Sequence, residues 1–124
     1  MKLTNQQIYT YAQNINRVFT DMKVYLPVKV NFFLQKNSQL LIKLAQEIEE
    51  ARLAIFKQYG ELNADKTQYV IPPEKISIAS EEIEDLFSIE QDVNIIKFSI
   101  EKFNDDIELS LEQMNAIMFM IEEA

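Results

Sequence analysis

From Val30 onward, apolar residues return at alternating spacings of four and three, at Val30, Leu34, Leu41, Leu44, Ile48, Ala51 and Ile55, with Asn37 the one polar residue on the stripe. That alternation keeps a narrow stripe on a single face and predicts one long α-helix over about 27–59. Pro27 suits the first turn, where its missing N–H has no partner to lose, and Gly60, the only glycine, can close the helix in the left-handed conformation. At ~1.5 Å per residue such a helix is roughly 48 Å long, more than a compact domain of this size covers easily. Part of the stripe is therefore expected to meet a second copy of the chain, with Leu34, Asn37, Leu41, Leu44 and Ile48 as the self-association residues. Asn37 would then either set the register between paired helices or face water where the stripe is unused.

The flanking patterns place shorter elements around this helix. Leu3-Thr4-Asn5-Gln6-Gln7-Ile8 has the order of a capping box with a hydrophobic staple, and Ile8, Tyr11, Ala12, Ile15, Val18 and Phe19 follow at helical spacing, so a first helix is predicted over about 5–20. Val24-Tyr25-Leu26 before Pro27 reads as an extended connector. Off the narrow stripe, Phe32, Phe33, Leu40, Leu53 and Phe56 widen the apolar face of the long helix at both ends. After Gly60, Asn63-Ala64-Asp65-Lys66 has turn chemistry between Leu62 and Tyr69-Val70-Ile71, which predicts a short hairpin. Pro72-Pro73 ends it. Ser80 offers an N-cap for a third helix over about 80–89, with a start as early as Pro73 as the alternative. The period then changes to two over Val93 to Ile100, which predicts a strand, with Ile107-Glu108-Leu109 as a second. Ser110 and Gln113 repeat the opening capping box and start a last helix lined by Met114, Ile117, Met118 and Ile121. This methionine-rich helix is either core or an adaptable binding face. The expected fold is α+β and mainly α: a single domain over 1–124, with the long helix packed by three shorter ones and a small two- or three-stranded β-element near 69–71 and 93–100.

Charge and chemistry narrow what such a chain can do. Against 12 basic residues stand 20 acidic ones, a formal net of −8, so the surface field repels nucleic acid and anionic lipid. No direct nucleic-acid binding and no membrane association are expected, and no run approaches the ~18 apolar residues of a membrane span. Met1-Lys2-Leu3-Thr4 leads into the amphipathic pattern without an apolar signal core, and a soluble intracellular protein is expected. The sequence has no histidine, cysteine or tryptophan, which removes the commonest general base, thiol nucleophiles and the usual zinc ligands. One glycine is too few for a phosphate-cradling loop, and no G-x-S-x-G elbow is present. Two carboxylate groups, Glu47, Glu49 and Glu50, and then Glu81, Glu82, Glu84 and Asp85, lack both calcium-loop spacing and the histidines of a di-iron site. They read as solvated helix faces. No catalytic residue, metal or cofactor is expected, and the chain is not expected to be an enzyme.

Several short motifs are familiar in this order: Met1-Lys2-Leu3-Thr4-Asn5, Leu26-Pro27-Val28-Lys29, Glu49-Glu50-Ala51-Arg52, Lys57-Gln58-Tyr59-Gly60-Glu61 and Tyr69-Val70-Ile71-Pro72-Pro73-Glu74. Glu84-Asp85-Leu86-Phe87, Asp92-Val93-Asn94-Ile95 and Leu109-Ser110 complete the set. With them the whole chain resembles small uncharacterised proteins encoded by tailed phages and prophages of low-GC Gram-positive bacteria. The resemblance implies a viral, intracellular setting and brings no activity with it. The chain departs from the common pattern where Ala64-Asp65-Lys66-Thr67 stands in for a glycine-containing turn.

The functional expectation is a non-catalytic phage accessory protein that binds and inhibits or redirects a host protein, such as an antiviral defence component, in the host cytoplasm. Contacts are expected at Glu49, Arg52, Phe56, Tyr59 and Tyr69, which combine charge with the aromatic anchors that dominate interface energetics. One alternative is a structural or assembly protein of the phage head, connector or tail, found in the virion. Another is an acidic mimic whose helix-borne carboxylates imitate phosphates in a nucleic-acid-binding groove.

Overall fold

The structure is a computed structural model that describes residues 1–19, 26–99 and 109–122. Its first half runs β1 (Lys2–Thr4), α1 (Asn5–Phe19), α2 (Val28–Tyr59), β2 (Glu61–Leu62) and β3 (Tyr69–Val70). A 3₁₀ turn (Pro73–Lys75) then leads into α3 (Ile76–Ser88), β4 (Glu90–Asp92) and β5 (Phe98–Ser99). The described residues close with α4 (Leu111–Ile117), a second 3₁₀ turn (Met118–Met120) and β6 (Ile121–Glu122). The chain is α+β and mainly α, with α2 as the expected single long helix. Helices α1 and α3 lie against α2, while α4 packs mainly on α1.

Local chemistry starts each helix. In α1 the Thr4 hydroxyl accepts from the Gln7 N–H at 3.1 Å and the Gln7 side chain accepts from the Thr4 N–H at 2.9 Å, which closes the capping box. The staple partners Leu3 and Ile8 are both buried. Ser110 and Gln113 do the same for α4, at 3.1 and 2.9 Å. Helix α3 begins at Ile76 rather than at Ser80. The reason is the pair of prolines: Pro72 is the N-cap and Pro73, its φ fixed near the helical value, opens the 3₁₀ turn, so helical winding starts at Pro73, the earlier of the two expected starts, and runs on into α3.

Gly60 closes α2 without turning left-handed, since its φ is −94° and its ψ 162°. Its N–H still donates to the Phe56 carbonyl at 2.7 Å, and the chain leaves straight into β2. Glycine is required here for space: a Cβ at this position would lie 2.4 Å from the Phe56 oxygen and 3.2 Å from the Tyr69 Cβ. The hairpin between β2 and β3 forms as expected, pairing Glu61 with Val70 and Leu62 with Tyr69.

The predicted β-element differs most from what is found. Among the described residues there are three separate two-stranded pairs and no single sheet: β1 with β4 and β2 with β3 antiparallel, and β5 with β6 parallel. Of the strand expected over 93–100, Phe98–Ser99 alone is a strand among the described residues, and residues 93 to 97 join no ladder. Their polar groups are met elsewhere. The Ile96 N–H donates to the Asn37 side-chain oxygen and the Asn37 amide donates to the Ile96 carbonyl, both at 2.8 Å. Val93 pairs with the Met1 backbone, the Ile95 N–H turns back to the Val93 carbonyl at 2.9 Å, and Ile96 is held by one side chain of α2, so the alternation does not become a ladder here. Ile100, Ile107 and Glu108 lie outside the described residues, as do Val24 and Tyr25 of the expected connector.

The core is one cluster of α1, α2, the 93–98 segment and the C-terminal helix and turn, centred on Ile8, Val30, Leu41, Val93, Ile117 and Met120. Three buried amides tie its pieces together. Asn37 holds Ile96 and comes within 3.5 Å of the Met120 sulfur. Asn5 donates to the Leu86 carbonyl near the end of α3 at 2.8 Å and accepts from Gln91 of β4 at 2.6 Å. Gln113 donates to the Val18 carbonyl in the last turn of α1 at 3.3 Å. Among the described residues no buried side-chain polar atom lacks a partner.

Candidate functional site

The residues expected to join two copies of the chain are largely spent inside one. Leu34, Asn37, Leu41 and Ile48 are buried, and Leu44 is half-buried against the same core. The surplus inferred from helix length disappears because the seam is covered by more than helices. The 93–98 segment and the Met118–Met120 turn lie over its N-terminal half, where Ile96 and Met120 meet Asn37. Asn37 therefore takes a third role, neither register-setting between copies nor facing water: it receives a backbone segment of its own chain.

The expected partner contacts divide into two sets. Glu49, Arg52, Phe56 and Tyr59 form a strip down one flank of α2, and each is engaged within the chain. Arg52 donates to both carboxylate oxygens of Glu49, at 2.9 and 2.5 Å, and its guanidinium lies 5.2 Å from the centre of the Phe56 ring. Tyr9 of α1 donates to Glu49 at 3.3 Å, and Tyr59 donates to Glu82 of α3 at 2.7 Å. The hydrogen bond from Arg52 holds the Glu49 carboxyl below its ordinary value, with the Arg52 charge adding to it against a smaller opposing effect of burial. Glu49 in turn raises the pKa of Arg52, chiefly through the same bond. The Glu82 carboxylate raises the pKa of the Tyr59 hydroxyl, because it accepts a hydrogen bond that only the protonated phenol can give. The strip joins α1, α2 and α3, and its polar groups are already paired.

Tyr69 belongs to the second set, at the end of the molecule beyond the C-terminus of α2. In an antiparallel pair, residues directly opposite share a face. Leu62 and Tyr69 thus form one face of the β2–β3 ribbon, and Glu61 and Val70 the other. All four are exposed, so both faces meet solvent in part. Tyr59 at the end of α2 meets Glu82 in the second turn of α3, and the first turn of α3 follows β3 in the chain through the Pro73–Lys75 turn. In that first turn Ile76 and Ile78 are exposed. Leu62, Tyr69, Val70, Ile76 and Ile78 retain between 41% and 54% of their accessible surface, so five of the thirteen exposed large apolar side chains among the described residues fall within 17 positions of the chain. Sequence pattern marked Tyr69 here and missed the others, because Val70, Ile76 and Ile78 are indistinguishable by composition from core residues. Pro72-Pro73, which starts the helical winding early, was the signal available.

The hairpin tip is built without glycine. Asn63 accepts from the Thr67 N–H at 2.9 Å through its side chain and from the Lys66 N–H at 3.0 Å through its carbonyl. Lys66 takes the left-handed conformation, with φ 57°.

A second surface feature runs between α1 and α2, where two shallow hollows of about 270 and 250 Å³ lie on either side of Ile42. Their polar linings are mostly amides, among them Gln13, Asn16, Gln35 and Gln46, and the one carboxylate, Glu49, is already held by Arg52. Such a lining offers hydrogen bonds and no acid–base pair. Among the described residues no three acidic side chains gather as a metal site would need, and no helix is long and apolar enough to cross a membrane. Comparisons with protein-family models, with curated proteins and with solved structures find no match to this chain.

Proposed function

We propose that this chain is a non-catalytic phage accessory protein that works by binding another protein, and that the bound protein belongs to the host and is inhibited or redirected. The observation that carries the binding part is the hairpin end, where all four residues of the two-stranded ribbon are exposed and the chain leads on into the exposed Ile76 and Ile78 of α3. A lone hairpin of this size is marginally stable in water, and contiguous exposed apolar surface marks interaction sites. The phage and host setting rests on the resemblance of the chain's motif order to small phage and prophage proteins. A non-catalytic role is supported by a sequence without histidine or cysteine.

The rival reading is a head, connector or tail protein that uses the same end to join a particle. Affinity purification of the tagged protein from infected cells separates the two. A host protein recovered in stoichiometric yield, and lost when Leu62 and Tyr69 are both changed to serine, is the expected result. Recovery of capsid or tail proteins, with abundant copies of the chain in purified virions, would replace the proposal with its rival.

A further inference from the structure

The hairpin end combines its apolar side chains with a one-sided charge. Between Gly60 and Asp85 there are seven acidic residues and two lysines. Glu61, Asp65, Glu74, Glu81, Glu84 and Asp85 are exposed, and among the described residues none of them is in an ion pair. The seventh, Glu82, is held by Tyr59. The charges interleave with the apolar groups. Glu61 stands opposite Val70 on one ribbon face, and Ile78 lies between Glu74, one turn before it, and Glu81, one turn after.

An apolar surface bordered by unpaired carboxylates would repel an acidic partner and leave a neutral one with carboxylates to desolvate. We propose that the hairpin and the first turns of α3 form a docking surface for a basic segment of a partner protein, one whose lysines or arginines flank apolar anchors. This rests on the protein-binding reading above and adds the partner's chemistry to it. The anchors would sit on Leu62, Tyr69 and Ile78, while the cations meet Glu74, Glu81 and Asp85.

The test is selection of a random peptide display library on the immobilised full chain, followed by solution binding of the enriched peptides to three proteins. These are the unaltered chain, the double variant Leu62→Ser with Tyr69→Ser, and the double variant Glu81→Lys with Asp85→Lys. All four positions are exposed, and thermal melts verify that each variant folds. The expected result is enrichment of peptides that combine Lys or Arg with apolar residues, binding about tenfold weaker in each variant and weaker again as salt is raised. Peptides that need Leu62 and Tyr69 but carry no basic residues and ignore Glu81→Lys with Asp85→Lys would overturn the basic chemistry and leave the binding reading standing. Peptides whose binding survives both variants, or no enrichment at all, would overturn the docking surface, while the host-protein reading would still be judged by the affinity purification.

Discussion

Asn37 joins three separate parts of the fold: α2, the 93–98 segment and the C-terminal turn. It sits in an otherwise apolar stripe, is 1% exposed, and satisfies both polar groups of the Ile96 backbone. Removing its amide would leave the part-buried N–H and carbonyl of Ile96 without partners, and each such loss costs about 1 kcal/mol or somewhat more. Asn37→Ala should therefore lower the unfolding free energy by about 2–3 kcal/mol in urea titrations, far beyond a surface change. A loss within about 0.5 kcal/mol would show that water replaces the amide. Sequence made Asn37 conspicuous and could not say why, because its partner is 59 positions away and is a stretch of backbone, which has no side-chain signature.

Glu49 has a smaller, pH-dependent part. Its folded pKa lies below the ordinary 4.5, so the stabilisation it supplies is present above that value and is lost as pH falls through the lowered one. The pair with Arg52 leaves about a third of each side chain exposed, which limits its worth to about 1 kcal/mol or less. Glu49→Gln is expected to lose that amount at neutral pH and to match the unaltered chain in acid, read from melting temperatures across pH. Equal destabilisation at both ends of the range would assign the loss to packing against Tyr9.

At the scale of elements, what could be read in the chain was what is set locally. The two capping boxes, the long stripe of α2 and the Asn63–Lys66 turn each depend on residues within a few positions, and each forms where expected. The β1–β4 and β5–β6 pairings were hidden for the opposite reason. Lys2–Thr4 doubles as the cap of α1, so its pairing with Glu90–Asp92 has no sequence pattern of its own, and a parallel pair of two residues each is too short to show any period. The hairpin offers the sharpest test at this scale. Lys66 holds a left-handed conformation that costs a side-chain-bearing residue roughly 1 kcal/mol, and glycine adopts it freely. Part of the gain is offset by the added freedom of glycine in the unfolded chain. Lys66→Gly should raise stability by about 0.5 kcal/mol in thermal melts, whereas a fall would mean that the lysine side chain contributes a contact of its own.

Across the whole molecule, a 32-residue helix was expected to outrun its own domain, and inside one chain its seam is covered by α1, the 93–98 segment and the C-terminal turn. Leu41 is completely buried there. Leu41→Asp should accordingly abolish the helical circular dichroism signal instead of splitting a dimer, since an unpaired carboxylate in an apolar core is not tolerated. A variant that stayed folded and changed only its mass in light scattering would return the seam to an interface between copies. The apolar surface left over lies at the hairpin end, where sequence placed one of five expected contacts, Tyr69. The other four became the paired strip that binds the helices to one another.

The central claim is that this end, and no other face, meets the partner. A photo-crosslinking amino acid introduced in living infected cells at Val70, and separately at Gln35 on the exposed α1–α2 flank, tests it directly. Crosslinking from position 70 to a single host protein, with none from position 35, is the predicted result. Crosslinks from position 35 alone, or from both positions only to further copies of this chain, would contradict it.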